Sequence, residues 1–152
     1  MNLELKIPPP VVALLLAGAM WLLSTAMPRV DTPAALRIGT ALAIAAAGGA
    51  FSLAGMLAFR RAKTTVNPLH PDKASALVTA GVYRFTRNPM YVGLLLVLLA
   101  WAVGLSSLEA LAGPVAFVLY INRFQIGPEE RVLRTKFGRE FEAYKSSVRR
   151  WL

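Results

Sequence analysis

The sequence predicts an all-α, polytopic membrane protein of four transmembrane helices, the last two a helical hairpin, followed by a cytosolic C-terminal amphipathic helix. Three observations carry this. Of 152 residues, 56% are hydrophobic and only 16% charged, against roughly 25% charged in a soluble domain. The apolar residues collect in four runs approaching the roughly 20 residues that a helix needs to cross a bilayer. The basic residues gather between and after those runs.

The first span covers residues 11–27, after Lys6 and the run Pro8-Pro9-Pro10. Its Ser24 and Thr25 can bond back to the helix's own carbonyls. A lone Lys6 and the later apolar runs argue against a cleavable signal peptide. The second span, Leu36 to Phe59, is crowded with small residues, including Ala45, Gly48, Gly49, Ser52 and Gly55. Gly48 and Ser52, four apart, allow close approach of another helix backbone. Residues 60–90 are polar, interrupted by Pro68, Pro71 and Gly81, and keep neither a helix nor a strand period. Tyr91 to Leu108 forms the third span, Ser106-Ser107 the turn, and Glu109 to about Phe124 a shortened fourth containing Pro114. In residues 128–152, Leu133, Phe137, Phe141, Tyr144, Val148 and Trp151 form an apolar stripe at helical spacing. Opposite Arg131, Arg134, Arg139 and Lys145, that stripe fits a helix lying on the protein or on the bilayer surface.

Arg60, Arg61, Lys63, Lys73, Arg84 and Arg87 make one basic segment, and eight further Lys and Arg follow from Arg123 onward. The turn between spans three and four has none, so both basic segments and both termini are placed in the cytoplasm, most simply at an inner or plasma membrane. The formal charge of +9 then belongs to topology and anionic membrane lipids, and nucleic acid is not an expected partner. No cysteine is present and His70 is the one histidine, which excludes a thiolate or imidazole metal site. His70 reads as an ordinary loop residue. One unit, 1–152, is expected: 1–60 supply two N-terminal spans and 61–152 a cofactor-binding, catalytic region.

Two segments carry chemistry. In the first, Asn88 can cap and Pro89 can open the third helix, leaving free backbone donors and a positive dipole end at the cytosolic boundary. An anion would be stabilised there, although a plain helix start with Arg84 and Arg87 reaching lipid phosphate accounts for the same residues. The second is Gly127-Pro128-Glu129-Glu130. Proline and acids in a first turn are ordinary helix-start chemistry. Consecutive acids nonetheless point about 100° apart, so that one can face the protein while the other stays in water. Gly138 within the following helix costs about 1 kcal/mol relative to alanine, which invites a packing or close-approach explanation.

The segment LVTAGVYRFTRNPMYVG, followed after a hairpin by EERVLRTKFGREFEAYKSSV, resembles the isoprenylcysteine carboxyl methyltransferase and phospholipid methyltransferase superfamily. The resemblance covers roughly residues 64–150. It implies S-adenosylmethionine as cofactor, held by loops and helix ends at the cytosolic membrane face. No glycine-rich turn of a dinucleotide-binding domain is present, which agrees. By resemblance the cofactor contacts fall on Ser75, Ala76, Leu77, Val78, Tyr83, Asn88, Pro89, Met90, Tyr91 and Glu129. The eukaryotic members have histidine where this chain has Ser75, and Arg-His-Pro where it has Arg87-Asn88-Pro89. They also carry a substrate-facing arginine at the position of Gln125, with Arg123 nearby here, which puts a prenylcysteine carboxylate substrate in doubt.

The implied activity is methyl transfer to a lipophilic or membrane-embedded small-molecule acceptor, a carboxylate, amine or thiol, with Arg87, Glu129 and Glu130 as the candidate catalytic residues. Such a displacement depends on positioning and on excluding water. Glu129 or Glu130 is matched to the cofactor's amino or sulfonium side, and Arg87 to its carboxylate. Two alternatives stay open: an NADPH-dependent sterol-type membrane reductase, whose C-terminal part resembles the same superfamily, and a non-enzymatic four-helix membrane protein.

Overall fold

A computed structural model describes residues 3–64, 67 and 69–152, so that Pro68 of the polar segment lies outside the described residues. Every regular element among them is helical. Helix α1 (Pro9–Ala26) opens on the proline run, where missing N–H groups cost nothing. Helix α2 (Ala34–Arg61) begins earlier and ends later than its apolar core. These two are long and apolar enough to cross a membrane. Helix α3 (Pro89–Leu105) has 17 residues. It stops short of Leu108 because Ser106 turns into the left-handed region, φ 55°.

The expected boundary near Phe124 is absent. A 3₁₀ turn (Glu109–Leu111), helix α4 (Ala112–Ile121), a π-helical turn (Asn122–Ile126) and helix α5 (Gly127–Phe137) follow without a break. Pro128 accounts for the π turn, since it has no N–H to give to the Phe124 carbonyl four residues back. That carbonyl accepts instead from the Leu5 N–H, 3.0 Å, while Gly127 N–H reaches back to the Asn122 carbonyl. The N-terminal segment is thereby pinned to the turn, and Glu4 adds ion pairs to Arg123 and Arg131.

The C-terminal amphipathic stretch is two helices, α5 and α6 (Arg139–Ser147), broken at Gly138. Gly138 has φ +51° and no neighbour within reach of an added Cβ. Conformation, and not close packing, is thus what requires glycine there. The apolar stripe still converges: Leu133, Phe137, Phe141, Tyr144 and Val148 pack with Val78, Tyr83 and Phe59, whereas Trp151 joins the main core.

That main core lies between α1, α3 and α4, around Met20, Leu98, Phe117 and Ile121. Trp101 Nε1 donates to the Ala17 carbonyl at 3.0 Å and ties α3 to α1. Helix α2 lies against α3 through the small residues expected to permit close approach. A Cβ on Gly93 would fall 2.0 Å from Ser52 Oγ and 2.5 Å from the Gly48 carbonyl oxygen. Lower down, Gly55 meets Pro89 and Met90. This contact fixes the start of α3 beside the end of α2, and there the candidate site forms. The opposite face of α2, with Leu36, Ile38, Leu42 and Leu53, is exposed, as a lipid-facing surface would be.

Candidate functional site

A cleft opens where five segments meet: the last turn of α2 (Phe59), the loop through Pro71, Ala74 and Ala76 to Tyr83, the start of α3, the π turn with α5, and α6. The space within it, including its open mouth, is about 850 Å³. Aromatic and aliphatic walls predominate, and the polar groups converge at one end, the usual composition of a small-molecule site.

Glu129 stands at that end. Tyr91 Oη and Gln125 Nε2 both donate to its Oε1, each at 2.6 Å. Among the described residues, Oε2 takes no hydrogen bond and is the oxygen left to meet a ligand. Part of the residue's surface is reached through the cleft, but protein atoms enclose the carboxylate, and burial pushes its pKa up to about 7. The Tyr91 and Gln125 hydrogen bonds oppose that rise, and the Glu130 charge adds to it. Gln125, near the end of the π turn, stands four residues before Glu129, a spacing that brings the two to one helix face.

Glu130 has the contrary surroundings. Its carboxylate accepts from Arg87 Nη2 at 2.8 Å, and from Arg150 at 3.1 Å (Nε) and 2.7 Å (Nη2). Burial raises its pKa, but the bonds and charges of Arg150 and Arg87 outweigh that and hold it below the ordinary range. Arg87 Nη1 donates to the Lys145 and Val148 carbonyls. Its Nε is buried without an acceptor among the described residues. The C-terminal strand of chain is strapped over the same place: Arg87 N–H donates to the Arg149 carbonyl at 2.9 Å, and Thr86 Oγ1 and Asn88 Nδ2 donate to the Arg150 carbonyl.

Of the residues singled out in the sequence, Ala76, Leu77, Val78, Tyr83, Arg87, Asn88, Met90, Tyr91, Glu129 and Glu130 line the cleft together. Ser75 and Pro89 do not. Ser75 bonds to Lys63 and Thr64 behind the wall, and Pro89 is packed on Gly55. Asn88 precedes the first turn of α3 as expected, but its side chain does not cap it. The amide is turned to Arg150, and the Asn88 carbonyl accepts from Tyr91 and Val92 N–H. Arg87 is engaged with Glu130, a partner that its place in the loop did not reveal.

Sequence reasoning missed Phe59, Leu133, Phe141 and Tyr144 as wall residues. The last three were visible as a stripe, and the Tyr144 hydroxyl donating to the Tyr83 carbonyl, 2.7 Å, turns that stripe toward the loop. Phe59 meets Tyr83 edge to face, with centroids 5.4 Å apart. Burial raises the pKa of both tyrosines, so both stay protonated. His70 is exposed in its loop. Among the described residues no cluster suited to a metal ion occurs.

A sequence profile of the phospholipid methyltransferase family matches residues 36–140. An uncharacterized protein of Haemophilus influenzae is 52% identical over 63 residues, 41% of this chain and 100% of that protein. A probable protein-S-isoprenylcysteine O-methyltransferase of Oryza sativa is 42% identical over 94 residues, 58% of this chain and 46% of the plant protein. Protein-S-isoprenylcysteine O-methyltransferase B of Arabidopsis thaliana is 33% identical over 94 residues, 58% of this chain and 45% of that protein. The match thus spans about half the length of the plant relatives. No solved structure matches the chain.

Proposed function

Because this chain belongs to the phospholipid methyltransferase family, we propose that it is an integral membrane enzyme that transfers a methyl group from S-adenosylmethionine to a lipophilic acceptor at the cytosolic membrane face. The observation that carries this reading is the convergence of Glu129 and Arg87 in one cleft beside the apolar helices. The plant relatives are named as methyltransferases of an isoprenylated substrate, in keeping with a lipophilic acceptor.

The residues present fit the cofactor. Arg87 Nε is a buried donor without an acceptor among the described residues, suited to the cofactor's carboxylate. Glu129 offers an enclosed carboxylate oxygen to its positive sulfur side. Phe59, Tyr83 and Tyr144 provide aromatic surface for a base, with Ala76, Leu77, Val78, Asn88, Met90 and Tyr91 completing the wall. Ser75 and Pro89 shape that wall from behind. When bound, S-adenosylmethionine supplies a methyl carbon made electrophilic by a sulfonium. The protein's part is to hold donor and acceptor in line and keep water out. The loop through Pro71, α6 and the strapped C-terminal segment close the cleft on its water side.

In this reading the chain is one unit that crosses the bilayer four times, with α3 and the run from Glu109 to about Phe124 forming the third and fourth spans and both termini in the cytoplasm. Residues 1–60 anchor it and 61–152 hold the site. The excess of basic residues in 60–90 and after Arg123 supports that orientation. Titration of the purified protein in neutral detergent with S-adenosylhomocysteine, and separately with NADPH, tests the activity class. Saturable binding of the first alone is expected. Binding of NADPH alone, or of neither, overturns the proposal.

A further inference from the structure

At the other end of the helices from the cleft, a second groove runs between the start of α2 and the turn that follows α3. The space within it, including its open side, is about 700 Å³. The connection between α1 and α2 forms one wall and is pinned to that turn. Val30 N–H donates to the Ser106 carbonyl and Ser106 Oγ to the Val30 carbonyl, each at 2.7 Å, and Thr32 Oγ1 lies 3.1 Å from Ser106 Oγ. The groove is therefore preformed. Its remaining walls are largely apolar, and two of their side chains, Leu36 and Leu108, are 64% and 68% exposed. Among the described residues, Arg37 is the one charged side chain in the lining. It is half-buried, and among the described residues its side chain makes no hydrogen bond or ion pair. Arg87 and Arg150, by contrast, close on Glu130.

The fold gains nothing from a cation at this place. Arg37 closes the first turn of α2, where the helix dipole disfavours positive charge, and that turn holds no acid. Asp31 is exposed on the connection, and Glu109 is turned to Ser107 at 2.8 Å. An anion from outside the chain would offset both the dipole and the missing partner. The length of α2 locates that anion. Its 28 residues, at about 1.5 Å each, extend about 42 Å, beyond a hydrocarbon core of about 30 Å. With Arg60 and Arg61 ending the helix at one surface, Arg37 falls in the headgroup layer of the other. We propose that this groove binds an anionic phospholipid of the leaflet opposite the cleft. Its phosphate meets the Arg37 guanidinium, whose fork matches two phosphate oxygens. Thr40, three residues on, shares that helix face and has a hydroxyl unbonded among the described residues. An acyl chain lies along Leu36, Val103 and Leu108. The described lining has no acid to receive the ammonium of a zwitterionic headgroup, which selects a headgroup of net negative charge. The site requires α2 to cross the membrane and is independent of methyl transfer.

The test counts lipids bound to the full chain by native mass spectrometry from neutral detergent, with dioleoylphosphatidylglycerol and dioleoylphosphatidylcholine as probes. Arg37→Gln should lose one bound phosphatidylglycerol that the unmodified chain retains, a weakening on the order of tenfold, and should hold phosphatidylcholine as before. Arg29→Gln removes the same charge from the exposed connection outside the groove and should keep that lipid. No loss in Arg37→Gln, or equal losses in the two variants, overturns the site in favour of diffuse attraction to basic residues. Displacement of the lipid by about a tenfold excess of its deacylated headgroup, glycerophosphoglycerol, overturns the lipid assignment in favour of a site for free phosphate esters. A dimer that comes apart in Arg37→Gln makes the groove a contact between copies and overturns it as well. Leu108→Ser, an exposed position in the apolar wall, should also weaken retention of phosphatidylglycerol. Unchanged retention there counts against the acyl-chain contact even if Arg37→Gln fails to fold. Binding of S-adenosylhomocysteine should be the same in all these variants, and its absence from the unmodified chain would overturn the methyltransferase reading while leaving this site standing.

Discussion

Glu129 and Glu130 are consecutive on α5 yet share no partner: Tyr91 and Gln125 hold the first with neutral donors, while Arg87 and Arg150 hold the second with charge. Their ionisation therefore has opposite consequences for folding. For Glu129 the folded pKa, about 7, lies above the ordinary carboxylate value of 4.5. Its contribution is fully present below the unfolded pKa and is lost as pH rises through the folded one. The loss is on the order of 3 kcal/mol at about 1.4 kcal/mol per pH unit. For Glu130 the folded pKa is depressed, so its contribution is present above the unfolded pKa and lost as pH falls through the folded one. Thermal unfolding in detergent from pH 5 to 8 should show Glu129→Gln gaining on the wild type with pH. Glu130→Gln should be the weaker protein throughout the upper part of that range. The same sign for both variants at pH 8 contradicts the assignment.

The ion pair between Arg87 and Glu130 changes what is expected of Arg87→Ala. From the sequence alone this substitution should weaken cofactor binding and leave the fold intact. With both side chains nearly buried, at 10% and 13% exposure, its removal leaves Glu130 to Arg150 alone and loosens the C-terminal segment. Breaking a buried pair costs roughly 3–5 kcal/mol when the remaining charge is left without a partner, and Arg150 keeps the cost below that. Arg150→Ala should cost less, since that side chain is 38% exposed and solvent screens it. Comparable melting temperatures for wild type and Arg87→Ala argue against the strap.

These two acids also show how far the sequence could be read. Helix geometry set them about 100° apart, and the resemblance marked Glu129; but both line the cleft and Glu130 is only 13% exposed, so neither stays in water as one was expected to. Which cations belonged to Glu130 did not follow. Arg87 and Arg150 lie 43 and 20 residues from it, and only the fold over Thr86 and Asn88 brings them in. The small-residue face of α2 was legible because Gly48 and Ser52 are spaced for a helix partner. The π turn was not, because its cause, a proline that leaves the Phe124 carbonyl to the Leu5 N–H, lies partly at the other end of the chain. Gly138 was visible as an anomaly, but its physical reason needed the backbone angle.

Helix α2 is held to α3 at a backbone crossing, so Gly93→Ala is predicted to be costly. The added Cβ would meet the Gly48 carbonyl at 2.5 Å and Ser52 Oγ at 2.0 Å. Ser52 can rotate, but the carbonyl cannot without moving α2. Overpacking of this kind costs typically 1–3 kcal/mol. Gly113→Ala collides with the Met20 thioether at 2.2 Å, a flexible neighbour, and should cost less. Because α2 also carries Phe59, Gly93→Ala should loosen S-adenosylhomocysteine binding as well as lower the melting temperature. A variant with an unchanged melting temperature contradicts this account of the crossing.

Glu129→Gln separates a helix-start acid from one that faces a ligand's positive charge. If Glu129 only meets the dipole of α5, losing its charge removes roughly 0.3–1 kcal/mol of stability and leaves ligand affinities alone. If its carboxylate faces the sulfonium, the loss falls on S-adenosylmethionine and spares the uncharged sulfur of S-adenosylhomocysteine. Loss of a charge-assisted contact in an enclosed cleft costs on the order of 1.5–3 kcal/mol, roughly a ten- to hundredfold weakening. The ratio of the two dissociation constants is the informative quantity, because a general loosening of the cleft would weaken both ligands alike. Glu130→Gln is the adjacent control: its carboxylate is saturated by Arg87 and Arg150, so any weakening there should act on both ligands equally. A ratio that changes less than threefold in Glu129→Gln returns this residue to helix-start chemistry.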